Sequence, residues 1–230
     1  MPMRITADRK TDFNDLKLNQ PEEKLHIKDP KERSKPLGEK LKDLKKDQRP
    51  LRFSVPVYNP LTPETMTVVH PPGSTTTGGF FGLTRRYENG KKKPHDGIDI
   101  QADIGTGVLA AEDGVITYAG WAGGYGNLIK IGHRQDYESR YAHLSRMDVK
   151  VGDLVKRGEF IGESGKTGNA DDPDILAHLH FEIRTTNENG AYGPVDPVGF
   201  LTTSRPDRDF RLLLEGSGSK ERNYLPKWLS

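Results

Sequence analysis

The sequence predicts an all-β fold, an antiparallel β-sandwich or open barrel, over residues 80–202. Three observations carry this: short apolar runs, glycine-bearing turns between them, and no helical periodicity. The runs are Val108–Ala111, Val115–Ala119, Leu128–Ile131, Ser139–Leu144, Glu159–Ile161 and Leu179–Ile183. The turns that separate them are Glu112-Asp113-Gly114, Gly123-Gly124, Val151-Gly152-Asp153 and Ser164-Gly165. Connections this short suit hairpins between antiparallel strands.

The flanking segments differ in texture. Residues 1–50 are nearly half charged, with scattered prolines and no sustained apolar face. They read as a charged, largely disordered arm, since such a segment cannot bury enough apolar surface to offset its ordering entropy. Within the arm, Leu37 to Leu44 has the spacing of a short amphipathic helix, and a partner-docking segment is the alternative reading. Residues 51–79 form an extended segment and linker. Phe53, Val55 and Val57 alternate as a strand does, but Pro56, Pro60 and Pro63 confine it to an edge or a wrap. A Pro/Gly/Ser/Thr run from Pro71 to Gly79 closes it. Residues 203–230 form a C-terminal tail with the flexible stretch Gly216-Ser217-Gly218-Ser219. Trp228 and Leu229 there would either pack back or meet a protein partner.

Composition narrows the function. Of 230 residues, 33% are hydrophobic and 30% charged, lean for one compact globule. The 35 basic and 33 acidic residues leave a net charge of +2, which provides no nucleic-acid footprint. The absence of cysteine excludes disulfides, thiolate catalysis and cysteine zinc fingers. No apolar run approaches the roughly 18 residues that span a membrane. Met1 to Lys10 lacks the apolar core of a secretory signal, which leaves three readings: a processed form, non-standard export such as a phage-associated or specialised secretion route, or a protein that stays inside.

Four of the seven histidines stand out. In a strand, residues i and i+2 share a face, so His178 and His180 project together while Leu179, Phe181 and Ile183 face the core. Alone, a His-x-His pair is a weak signal. In His95-Asp96-Gly97-Ile98-Asp99, Pro94 and Gly97 oppose a helix. If extended, the segment puts His95 and Asp99 on one face, with Gly97 leaving room between them for a metal. Zinc takes imidazole nitrogen and carboxylate oxygen at similar distances. By the same alternation, Tyr141-Ala142-His143-Leu144 turns Ala142 and Leu144 inward and His143 outward. His133 reads as a solvated turn residue. His70, in the linker, is a candidate for blocking the site, and His26 has no evident role.

Together, His95-x-Gly97-x-Asp99, Tyr141-Ala142-His143-Leu144 and His178-Leu179-His180-Phe181-Glu182 resemble the three signature blocks of the lysostaphin/LytM-type zinc endopeptidases. The resemblance runs on through Gly105 to Ile116, Gly124-Tyr125-Gly126-Asn127, Val151 to Gly158, Ile161 to Gly168 and Val195-Asp196-Pro197. It implies an antiparallel β domain with a zinc-bearing groove. It implies that His95, Asp99 and His180 bind Zn2+ and that His143 and His178 are catalytic without being ligands. It further implies an endopeptidase that hydrolyses peptide cross-links of bacterial peptidoglycan by attack of a metal-activated water. Its partners would then be stem or bridge peptides, met in the periplasm or outside the cell.

Two departures stand against the pattern. Gly107 replaces a frequent proline, and Asn169 to Leu176 is longer and more acidic than the usual turn. This loop is expected to border the groove. The alternative function is a non-catalytic peptidoglycan-binding or regulatory module on the same fold. An iron oxygenase and a lipoyl- or biotinyl-carrier domain are weaker alternatives. The first lacks a co-substrate signature, and in the second Lys166 lacks the hydrophobic setting of a modified lysine.

Overall fold

The computed structural model describes residue 31 and residues 34–57, 65–68, 79–86, 90–202 and 211–214. The expectations for residues 1–30, for His26 and His70, and for most of the tail fall outside these residues. The chain divides into two units, residues 1–34 and 35–230, and everything below concerns the second.

The core is a meander of consecutive hairpins. Strand β7 (Gly114–Trp121) pairs with β8 (Asn127–Gly132), and β8 with β9 (Glu138–Met147), each antiparallel. Beyond β9 lie β12 (His178–Thr186) and then β5 (Ile98–Gln101). Strand β11 (Phe160–Ser164) returns from β9 to β6 (Gly107–Leu109), and β13 (Tyr192–Val195) extends β12. The main sheet is open, and its inward faces bury Ile98, Ile100, Ile116, Ile129, Ile131, Tyr141, Phe181 and Ile183. At about 25 cal/mol per Å2 of apolar surface, this cluster dominates the stability of the domain. The all-β antiparallel expectation holds, and every run named from the sequence lies on or overlaps a strand.

The segment before the sheet wraps it. The expected amphipathic stretch is helix α1 (Leu37–Lys46), with Leu37, Leu41 and Leu44 partly buried on one face. Leu41 packs over Gly132 at the β7–β8 hairpin. The Lys40 ammonium donates to the Gly152 carbonyl at 2.7 Å, and Lys45 pairs with Asp136. Glu39 in the first turn and Lys45 and Lys46 in the last suit the helix dipole. Strand β1 (Phe53–Ser54) then runs parallel to β14 (Leu201–Thr202), and Val57 bridges Val108. Pro56 thus lies in an edge wrap, as the sequence indicated, while Pro60 and Pro63 fall outside the described residues. Within the charged arm this helical stretch packs on the domain, because the leucine face of α1 and its basic groups find partners there.

His133 corrects another expectation. It is 2% exposed, not solvated. The turn after it, Arg134–Asp136, carries Gln135 and Asp136 at positive φ and folds back, while Phe53 covers the ring edge-on at 5.2 Å. Nδ1 lies 2.8 Å from the Asp113 carbonyl and Nε2 2.7 Å from Ser139 Oγ, which neighbours the Tyr141 hydroxyl. Sequence alternation misses this because the cover comes from 80 residues away. Burial lowers the His133 pKa to about 4 from an ordinary 6.5. The unfolded chain therefore binds the extra proton first. Stability is full above about pH 6.5 and falls as pH drops toward 4, by about 2–3 kcal/mol. Urea unfolding at pH 7 and pH 4.5 is expected to show a smaller acid loss in His133→Gln than in wild type, and parallel losses would refute the assignment.

Candidate active site

Strands β5 and β12 build the site by register. His180 stands directly opposite Asp99, and His178 opposite Gln101. His178, His180 and Glu182 alternate on one face of β12, while Leu179, Phe181 and Ile183 on the other are fully buried. His95 ends β4 (Lys92–His95), which forms a hairpin with β3 (Gly82–Arg86). Gly97 then lies against β12, and a side chain there would collide with the Phe181 carbonyl oxygen. This contact is why the segment between the two candidate ligands needs glycine, beyond leaving room for a metal.

The three donor atoms form a nearly equilateral triangle. Asp99 Oδ1 is 2.9 Å from His180 Nδ1 and 3.1 Å from His95 Nε2, and the two nitrogens are 3.0 Å apart. A tetrahedral zinc site with bonds near 2.0–2.1 Å separates its ligand atoms by about 3.3 Å, so these residues fit a metal with a few tenths of an ångström of expansion. All three are buried, and together they are able to hold a metal ion. Burial pushes the Asp99 carboxyl up, but hydrogen bonds from His180 and His95 outweigh it and hold the carboxyl well below its usual range. Burial likewise opposes the charged form of His180, yet Asp99 and Glu182 raise it to about 9. Among the protein groups alone, both directions favour a carboxylate anion beside an imidazolium.

Every histidine of the site has one nitrogen spent on an oxygen behind it. His95 Nδ1 donates to the Phe80 carbonyl at 2.8 Å, and His180 Nε2 to Glu182 at 3.1 Å. His143 Nδ1 donates to the Thr167 carbonyl at 2.8 Å, and His178 Nδ1 to the Leu176 carbonyl at 2.7 Å. Such partners fix the tautomer and the ring plane. With Nδ1 donated, a neutral ring accepts only at Nε2 in His143 and His178, while His95 Nε2 and His180 Nδ1 both face Asp99 Oδ1. The His143 and His178 rings meet edge to face at 4.9 Å, and His143 is 5.8 Å from His180. Burial, then the neighbouring His178 and His180, lowers the His143 pKa to about 4.

His143 departs from the sequence expectation in one respect. Ala142, His143 and Leu144 are all buried, so the alternation fails there. His143 has φ of 62° and sits where the β8–β9 register slips by one residue. A β-bulge re-aims a side chain in this way, and a non-glycine residue in the left-handed region is a strain that functional sites tolerate. The loop from Thr167 to Leu176, noted for its acidity, borders the site as expected. It also supplies both carbonyls that orient His143 and His178.

The structure thus brings together all five residues singled out by sequence. It adds one that the sequence reading quoted without a role. Glu182 is 0% exposed and takes hydrogen bonds from His180, from the Tyr125 hydroxyl at 2.7 Å and from Arg184 at 2.7 Å, with Arg140 at 3.6 Å. These hold its pKa near 2 against the burial that would raise it. Its position two residues after His180 on the same strand face was the available signal.

Comparison with known proteins places this arrangement. Residues 93–197 match the model of peptidase family M23. The DD-carboxypeptidase/endopeptidase Mpg of Neisseria meningitidis serogroup B is 45% identical over 104 residues, 45% of this chain and 22% of that protein. The glycyl-glycine endopeptidase ALE-1 of Staphylococcus capitis is 39% identical over 137 residues, 56% of this chain and 35% of that protein. The chain therefore spans only a minor part of these relatives. Among solved structures, the catalytic domain of lysostaphin from Staphylococcus simulans is 35% identical, covering 53% of this chain and 87% of that domain, with a TM-score of 0.45. The family match opens two residues before His95 and encloses Asp99, His143, His178 and His180, and over residues 93–197 the chain carries a domain of peptidase family M23.

Proposed function

We propose that the protein is a zinc-dependent endopeptidase that hydrolyses the peptide cross-links of bacterial peptidoglycan. The observation that carries this is the pairing of a buried metal triplet, His95, Asp99 and His180, with two further histidines beside it whose Nδ1 atoms are spent on loop carbonyls. A binding module has no need of that second pair.

Zinc, when held by the triplet, supplies Lewis acidity and lowers the pKa of water at the site. The chain's own residues do the rest. In its neutral form each of His143 and His178 accepts at Nε2, and these lone pairs are placed to take a proton from the attacking water and to return one to the leaving amine. Their Nδ1 hydrogen bonds to Thr167 and Leu176 keep those lone pairs aimed without a rotameric search. Glu182 fixes the His180 ring and offsets positive charge from behind. Peptidoglycan as substrate is supported by the names of the relatives, a glycyl-glycine endopeptidase among them, and it places action in the periplasm or outside the cell. Among the described residues no helix is long and apolar enough to cross a membrane.

The test is digestion of purified sacculi of two wall types with and without added zinc, reading released muropeptides by mass spectrometry. Zinc-dependent loss of cross-linked dimers, absent in His180→Ala, is expected. No release by folded, zinc-loaded protein would overturn catalysis and favour a regulatory module.

A further inference from the structure

The β3–β4 hairpin stands apart from the main sheet and concentrates positive charge. Between Gly82 and His95 there are five basic residues, Arg85, Arg86, Lys91, Lys92 and Lys93, against the single acid Glu88. The whole chain carries only +2, so the remainder is on balance acidic. The register sets Arg85 opposite Lys93 and Arg86 opposite Lys92. Lys92, Lys93 and Pro94 are exposed on β4, which ends at the buried candidate ligand His95, and the exposed Lys91 immediately precedes it. At about 3.3 Å per residue, Lys93 and Lys91 stand roughly 7 and 13 Å along the strand from His95. That is about two to four residues of an extended peptide laid out from His95.

We propose that this hairpin is a carboxylate-recognition surface, which makes anionic stem peptides, rather than neutral glycine bridges, the preferred substrate class. The inference rests on the peptidoglycan reading above and deepens it. Charge complementarity selects the occupant: stem peptides carry free carboxylates within a few residues of the bond to be cut, whereas polyglycine offers none. Cations of this kind act on encounter and on discrimination more than on the chemical step, and their effect is screened by salt.

The test uses the full chain and the triple variant Lys91→Gln, Lys92→Gln, Lys93→Gln. The ligands are sacculi stripped of phosphodiester polymers, with stem carboxylates either free or converted to amides. Binding is measured in the cold, over times too short for release. Wild type is expected to bind the free-carboxylate form on the order of tenfold more tightly, with the difference collapsing at high salt. The triple variant is expected to bind both forms alike. Equal binding by wild type, or a preference that survives in the variant, overturns the proposal. So does a preference seen only before stripping, which would assign the hairpin to phosphodiester polymers. If the triple variant does not fold, the wild-type comparison of free and amidated sacculi, with Lys92→Gln as the single change, decides in its place. Digestion of the same sacculi with zinc is scored separately. A retained binding preference without cleavage removes the endopeptidase reading and leaves the hairpin assignment standing.

Discussion

Glu182→Leu is expected to weaken zinc affinity about 10- to 100-fold and to destabilise the fold by about 3 kcal/mol. Glu182 is the one acceptor shared by His180 Nε2, Tyr125, Arg184 and, more distantly, Arg140. Leucine keeps the volume but leaves His180 free to rotate and two arginines short of a counter-charge. Arg140 keeps Glu138 at 2.7 Å and Arg184 keeps Asp96 at 3.4 Å, which holds the loss to the lower end of that for breaking a buried pair. Glu182→Gln retains an acceptor for His180 and is expected to recover much of the affinity. Chelator competition measures the metal constant, and urea unfolding measures stability. A leucine variant with wild-type affinity would show that His180 needs no support from behind.

His143→Ala and His178→Ala should each lower kcat by about 10²- to 10⁴-fold while leaving one zinc per chain. Each ring is held by a carbonyl of the 167–176 loop, outside the donor triangle. Because the two rings touch at 4.9 Å and serve one proton path, the double variant is expected to be little worse than the weaker single one. Muropeptide release rates beside metal analysis on the same preparations provide the check. Loss of metal in either variant would move that histidine from catalysis to coordination.

The fold was legible where local rules act alone. Apolar alternation broken by Glu112-Asp113-Gly114 and Gly123-Gly124 marks β7 and β8, and the two-residue period of β12 puts His178 beside His180. Gly97 was legible as spacing, though not as the close approach to Phe181 that requires it. The misses come from pairing and packing partners that the pattern of a single segment does not encode. The alternation at Tyr141 to Leu144 is broken by a bulge that pairing with β8 sets, and His143 is buried as a result. His133 looked solvated because Phe53 and the edge wrap were needed to cover it. Helix α1 showed its periodicity but not its dock at Gly132 and Gly152.

The register of β5 on β12 bears on the order in which the chain assembles. Strands β7, β8 and β9 are joined by short turns and can pair through contacts close in sequence. The donor triangle cannot: His95 and His180 are 85 residues apart, and Asp99 and His180 are 81 apart. Closing loops of that length costs entropy before any contact rewards it. A chain with only its central meander formed therefore has no place for the ion. Metal uptake reports that the sheet has closed around β12, and free zinc pulls the folding equilibrium toward that closed state by mass action. The ion stabilises the scaffold as well as serving it, and maturation of the protein is tied to zinc supply wherever it folds.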